Sequence, residues 1–288
     1  MGPGRARGVR GGRVVTPSPP RVLVTNDDGV YAPGIRALTR SLVEAGHDVV
    51  VVAPSTERSG SGAAIGPVHM GDALEYETLV LEGIDVPVYA MDAPPALCVL
   101  TARLGGFGPS PDVVVSGINP GPNTGRAVLH SGTVGAALTA ANVGLRGLAV
   151  SMGIGEPMVW ESAGTLAVAA LDWLLGARPR TILNLNVPNL PLADVLGVRL
   201  ARLAPFGTVR AALADTEPGS SKVQIQLQET DEELDPDTDT ALVNAGYAAV
   251  TSLVGPRAAG DEPDVAERLG AALAVLTGPR TPPGRGVR

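Results

Sequence analysis

One cysteine, one lysine, two tryptophans and two phenylalanines are all that 288 residues hold of those four types. A lone Cys98 leaves no disulfide framework and no cysteine-based zinc site, and it reads as a small buried hydrophobe. The single lysine, Lys222, stands in Ser220-Ser221-Lys222-Val223. No G-x-x-x-x-G-K-[ST] surrounds it, which removes a P-loop ATPase. No G-x-G-x-x-G follows the first apolar run, which argues against a dinucleotide oxidoreductase. The three histidines, His47, His69 and His130, have no zinc-ligand spacing. His47 and His69 read as surface residues. No apolar run is long enough to span a bilayer. The N-terminus has no apolar stretch of the kind a signal peptide needs. The expectation is a cytoplasmic protein without a membrane partner.

Positive charge is scarce in the body. The formal net charge is −7, yet four arginines lie in residues 1–20 and three in the last nine. Between those ends the chain is about twice as acidic as its net charge states, which argues against a nucleic-acid or membrane-surface binder. Residues 1–20 and 278–288 are Gly, Pro and Arg with little to bury and read as unstructured extensions. The body between them, residues 21–277, is long enough for a large core.

That body alternates strands and helices. Largely apolar runs at 22–25, 48–53, 111–115, 148–150 and 182–187 predict strands. Pro33 opens a helical pattern of Ile35, Leu38, Leu42 and Val43 that Gly46 ends. Further helices are predicted over 132–142 and 161–175. Strands apolar on both faces, separated by helices, predict a Rossmann-like three-layer α/β/α fold with a mostly parallel sheet. Farther on, SKVQIQLQ (221–228) alternates as a strand does. A strand over 247–254 and a helix over 265–276 follow. Residues 229–239 hold seven acids. Asp235-x-Asp237-x-Asp239 opens like a calcium loop, but Thr240 and Gly246 occupy the places that need Gly and Glu. The segment reads as a solvated acidic loop.

In an open α/β sheet, ligands bind beyond the carboxyl ends of the strands. Three strand ends deliver Asp27 and Asp28, Ser59 and Asn119 to one edge. All four offer oxygen, the donor set of Mg²⁺ or Mn²⁺. Adjacent carboxylates repel each other, and a divalent ion offsets that repulsion. The same pair would equally serve a turn that caps the following helix. Ser131-Gly132-Thr133 precedes an apolar helix whose first N–H groups can receive a phosphate, or it simply caps that helix. Asn123 lies in a neighbouring Gly-rich loop, and Asn26 precedes the Asp pair.

VTNDDGVYAPGI, VVAPSTERSGSG, VVVSGINPGPNTG and HSGTVGAALTA occur in this order. Together they closely resemble the SurE family of stationary-phase survival proteins, metal-dependent 5′/3′-nucleotidases, over about residues 21–276. The resemblance implies hydrolysis of nucleoside monophosphates by metal-activated water. It implies one divalent cation per subunit, Mg²⁺ or Mn²⁺, held by Asp27, Asp28, Ser59 and Asn119. On this reading Asp27 positions or deprotonates the water. The resemblance also supports phosphate contacts from Asn26, Asn123, Ser131, Gly132 and Thr133. It implies C-terminal arms within about 203–277 that exchange between subunits, giving a homodimer or homotetramer. The sequence departs from the family at Ala93–Leu97, where a capping box is missing, at Gly62–Gly66, and at His130 in place of a common Tyr. His130 adjoins the phosphate cradle and is weighed as a substrate contact. These departures leave room for a nucleotide-binding regulatory module without turnover. A covalent-aspartate phosphatase is the other alternative, although adjacent Asp residues in extended chain point to opposite faces.

Overall fold

Val22 and Val24 face one side of the first strand and Leu23 the other, and all three are fully buried. That alternation, repeated strand after strand, builds the molecule. The computed structural model describes residues 19–66, 68, 73–205, 209–213, 225–229 and 234–257. The chain divides into two units, residues 1–254 and 255–288. The architecture below is that of the first.

The elements in chain order are β1 (Arg21–Thr25), α1 (Pro33–Glu44), β2 (Asp48–Pro54), β3 (Tyr76–Leu81), β4 (Ile84–Met91), α2 (Pro95–Arg103), β5 (Val113–Pro120) and α3 (Gly132–Asn142). There follow β6 (Arg146–Met152), α4 (Trp160–Gly176), β7 (Ile182–Val187), β8 (Val198–Leu200), β9 (Val209–Leu213), β10 (Ile225–Glu229), α5 (Asp239–Asn244) and β11 (Ala248–Leu253). Nine strands form one sheet in the order β3-β4-β2-β1-β5-β6-β7-β11-β8. Its centre is parallel, and β3 and β11 run antiparallel to their neighbours β4 and β7. The strands β9 and β10 pair antiparallel as a separate ribbon.

Val22, Val24, Val49, Val51, Val113 and Val115 pack with Ile35, Leu38 and Leu42 of α1 and Leu171 and Leu174 of α4. From the opposite face, Leu23, Val50, Val52 and Val114 meet Leu97 and Val99 of α2 and Ala136 and Ala140 of α3. These are the expected three layers. Each such side chain contributes about 1.5–3 kcal/mol on burial. Cys98 is fully buried in the second cluster, as its lone occurrence predicted, and burial pushes its thiol up to about 12.

The β3–β4 pair and α2 were not anticipated. Tyr76–Leu81 is an edge strand, exposed along most of its length, so it lacks a continuous apolar run. The helix α2 starts where the capping box is missing. Pro94 is its N-cap, Pro95 opens its first turn and Leu97 N donates to Pro94 O. Proline is tolerated there because the first-turn N–H groups have no helical partner. The strand β5 also runs farther than expected. It continues through Asn119 to Pro120, with its register broken between Ser116 and Asn119. Residues 1–18, His69, Lys222 and the segment 265–276 lie outside the described residues. Among the described residues no helix is long and apolar enough to cross a membrane.

The chain crosses from β1 to β2 on one side, and from β5 to β6 and β7 on the other. The direction reverses between β1 and β5, which places the ligand crevice of this fold class beyond their carboxyl ends.

Candidate active site

The strand β1 ends in a turn held by its own side chain. Asn26, fully buried, donates from Nδ2 to Gly29 O at 2.9 Å. Ala32 N donates to the same carbonyl at 3.1 Å, and Val30 N reaches Pro54 O at 2.8 Å. Gly29 has φ +99°, a conformation that disfavours a Cβ. The turn delivers Asp27 and Asp28 to the crevice.

Asp27 faces α3. It is 3% exposed, and Thr133 Oγ1 donates to its Oδ1. Gly132 lies directly against it: a Cβ at Gly132 would stand 2.7 Å from Asp27 Cβ, Asp27 Oδ2 and Ser61 Oγ. Ser61 Oγ is buried without a hydrogen-bond partner, so a second polar oxygen sits beside the carboxylate. The carbonyl of Asp27 accepts from Arg58 N at 2.6 Å. Arg58 also ion-pairs with Asp92, tying the loop after β2 to the loop after β4.

Asp28 occupies the opposite environment. Burial, then the Asp27 carboxylate, then Glu57 push its carboxyl up to about 7. Its Oδ2 is buried and has no hydrogen-bond partner among the described residues. Glu57 in turn accepts from Ser59 Oγ at 2.8 Å, so Ser59 is drawn toward the acidic group. Among the described residues no three His, Cys, Asp or Glu side chains gather as a metal cluster. A cation would therefore be held by two carboxylates and neutral oxygens. The orphaned Oδ2, the mutual repulsion and the oxygen-only donors fit a hard divalent ion.

Asn119 lies on β5, beside β1, three residues past the Thr25–Ser116 register pair. Its Nδ2 donates to Gly121 O at 2.7 Å, which leaves Oδ1 as its donor atom for a cation. Asn123 is anchored from below. Its N–H donates to Asn186 Oδ1 at 2.8 Å, and its carbonyl accepts from Asn184 Nδ2 and Asn186 Nδ2. Its own Nδ2 donates to Ser151 Oγ at 2.8 Å, which uses one of two hydrogens. Gly125 N donates to Asp239 Oδ2 at 2.9 Å.

At the start of α3, Ser131 is the N-cap, with its Oγ accepting from Val134 N at 3.1 Å. Ser131 thus takes the capping role, and the N–H groups of Gly132 and Thr133, in the first turn, receive no acceptor from the helical ladder. Gly62 N donates to His130 O at 3.0 Å, which seats the Gly62–Gly66 departure against that end. The His130 side chain is exposed.

The sequence missed Glu57, Ser61 and the partnership of Thr133 with Asp27. It also misread Asp239. Asp235 and Asp237 are exposed as a solvated acidic loop requires, but Asp239 is fully buried. The physical reason is its set of backbone donors: Gly125 N, Ala204 N and Thr240 N all reach its carboxylate.

The family model described as "Survival protein SurE" matches residues 22–209. The chain is 37% identical over 237 residues to the 5′/3′-nucleotidase SurE of Erwinia tasmaniensis, covering 81% of this chain and 89% of that protein. It is 38% identical over 238 residues to the 5′/3′-nucleotidase SurE of Salmonella typhimurium, with the same coverage. The crystal structure of the SurE protein from Aquifex aeolicus superposes with a TM-score of 0.73 at 30% identity. That match covers 87% of this chain and all of the other.

Proposed function

The chain belongs to the SurE family, and from that premise we propose that it is a 5′/3′-nucleotidase, a metal-dependent phosphomonoesterase acting on nucleoside monophosphates. One observation carries the metal-dependent reading. Two adjacent carboxylates close β1, and Asp28 keeps a buried, unpartnered Oδ2 under the repulsion of Asp27 and Glu57. Asp27, Asp28, Ser59 and Asn119 would hold one Mg²⁺ or Mn²⁺. When bound, that ion would supply Lewis-acid polarisation of the phosphate and of the attacking water.

The chain's own residues supply position. Thr133 fixes the plane of Asp27 through Oδ1, leaving Oδ2 to orient the water and accept its proton. The first-turn N–H groups of Gly132 and Thr133 receive phosphate oxygens at a helix N-terminus, where the dipole favours an anion. The second Nδ2 hydrogen of Asn123 is available to the same group. Asn26 acts one step back: it is fully buried and its Nδ2 donates to Gly29 O, shaping the turn that carries the Asp pair. The water oxygen bonds to phosphorus as the P–O ester bond breaks, and the ester oxygen leaves as the nucleoside hydroxyl, taking up the equivalent of the proton that Asp27 accepted from the water. Most of the rate comes from orientation and charge stabilisation. The proposal includes a cytoplasmic homodimer or homotetramer. The exposed apolar side chains of Trp173, Val198 and Leu200 support an oligomer.

The test is phosphate release from a panel of 5′- and 3′-nucleoside monophosphates with EDTA, Mg²⁺ or Mn²⁺, beside Asp28→Asn. Release that requires metal and is lost in the variant supports the reading. Nucleotide binding without release from any substrate would replace it with a regulatory binding module.

A further inference from the structure

We infer that Asp239 is a positioning residue for the substrate's phosphate, acting as a latch that fixes the Gly121–Gly125 loop from the far end of the chain. The inference rests on the nucleotidase reading and adds a residue to it.

Asp239 opens α5, 114 residues after Gly125. It is fully buried, and a buried carboxylate is costly unless its oxygens are satisfied. Here they are. Oδ2 accepts from Gly125 N at 2.9 Å, while Oδ1 accepts from Ala204 N at 2.9 Å and Thr240 N at 2.8 Å. These are charge-assisted bonds, the stronger kind. The two oxygens divide the work. Among the described residues, Oδ1 serves the start of α5 and the strand-to-ribbon connection at Ala204, and Oδ2 serves only the loop.

The same loop is pinned independently two residues earlier. Asn184 and Asn186, both fully buried on β7, grip the backbone of Asn123, and Ser151 receives its side chain. Between the two pins, Thr124 is 1% exposed. The N–H groups of Asn123 and Gly125 are consumed internally, so the loop's backbone gives its donors to the scaffold. What it offers outward is the remaining Asn123 amide hydrogen, with Asn119 at its root. Both pins therefore set the position of the Asn123 amide that the substrate's phosphate would meet, and an error of about 1 Å in its place weakens that contact and slows turnover.

The division between Oδ1 and Oδ2 makes the latch separable. In Asp239→Asn, the amide oxygen keeps Ala204 N and Thr240 N, while the amide nitrogen meets Gly125 N as donor against donor. The variant keeps the start of α5 and releases the loop. The expected result is a folded protein with Mn²⁺ affinity near wild type by calorimetry. Its KM for a nucleoside monophosphate and its Ki for inorganic phosphate rise at least about tenfold, with a smaller fall in kcat. Unchanged KM and Ki would overturn the inference. So would a fall in kcat and in the number of metal-binding sites in proportion to the folded fraction, with KM, Ki and metal affinity unchanged, which is the signature of a merely structural residue. Should the variant fail to fold, hydrogen exchange on the wild-type protein reads the latch directly. Slow exchange at the Gly125 amide in the ligand-free protein supports it, and exchange as fast as in a free loop overturns it. A wild-type protein that releases no phosphate would sink the nucleotidase reading instead. An active wild type matched by Asp239→Asn would sink only the latch.

Discussion

Thr133 donates its hydroxyl hydrogen to Oδ1 of Asp27 across 106 residues of sequence. The bond is buried on both sides, so it sets the orientation of the carboxylate proposed to handle the attacking water. Thr133→Val keeps the shape and removes the donor. The cost to stability is expected at about 1–3 kcal/mol, that of an unpaired buried acceptor. The fall in kcat for phosphate release is expected at about 10–100-fold, with Thr133→Ser keeping most of the rate. Wild-type turnover in Thr133→Val would mean that Asp27 needs no such fixing.

Gly132 sits where no side chain fits. Its Cβ would fall within 2.7 Å of Asp27 and of Ser61 Oγ, and the crowding would push the carboxylate off its place. Gly132→Ala is expected to lose at least about 100-fold in activity and to lower stability by about 1–3 kcal/mol. Gly176, at the end of α4, has no neighbouring atom within 4 Å of an added Cβ. Gly176→Ala should leave kcat unchanged and shift stability by no more than about 1 kcal/mol. Steady-state kinetics and urea unfolding on the two variants check the contrast. Equal behaviour would refute the argument from close approach.

What was legible in the chain depended on whether the physics was local. The strands β1, β2, β5, β6 and β7 are buried on both faces and therefore carry apolar stretches that stand out in the sequence, although Asn184 and Asn186 interrupt the one in β7. The edge strand β3 is exposed along most of its length, and nothing in Tyr76–Leu81 marks it as firmly. The helix α2 was hidden behind Pro94 and Pro95, residues that stop a helix inside it but start one at its first turn. The Asp27–Asp28 pair stood out because adjacent carboxylates after an apolar run need an explanation wherever they occur. Asp239 did not, because six other acids surround it in sequence and only the fold brings Gly125 and Ala204 to it. Glu57 was passed over for the same reason: its influence on Asp28 is exerted through space.

Asp28 also gives the protein a pH dependence that can be separated from everything else. Without a cation, burial, Asp27 and Glu57 hold its carboxyl at about 7 in the folded state, against 3.8 for an ordinary aspartate. Between those values the folded protein binds a proton that the unfolded chain releases. The stabilisation from this group is therefore complete below about 3.8, declines as pH rises, and is gone above about 7. In EDTA, the thermal midpoint of Asp28→Asn should gain on wild type as pH rises from about 3.8 to about 7 and hold its lead above that, because the amide carries no such penalty. Cation binding needs the deprotonated carboxylate, so wild-type affinity for Mn²⁺ should climb about tenfold per pH unit toward 7 and level off beyond it. Thermal unfolding and calorimetry across that range test both halves. A constant gap between the two proteins, with Mn²⁺ affinity flat in pH, would mean that Asp28 is ionised throughout and that its burial is already compensated within the chain.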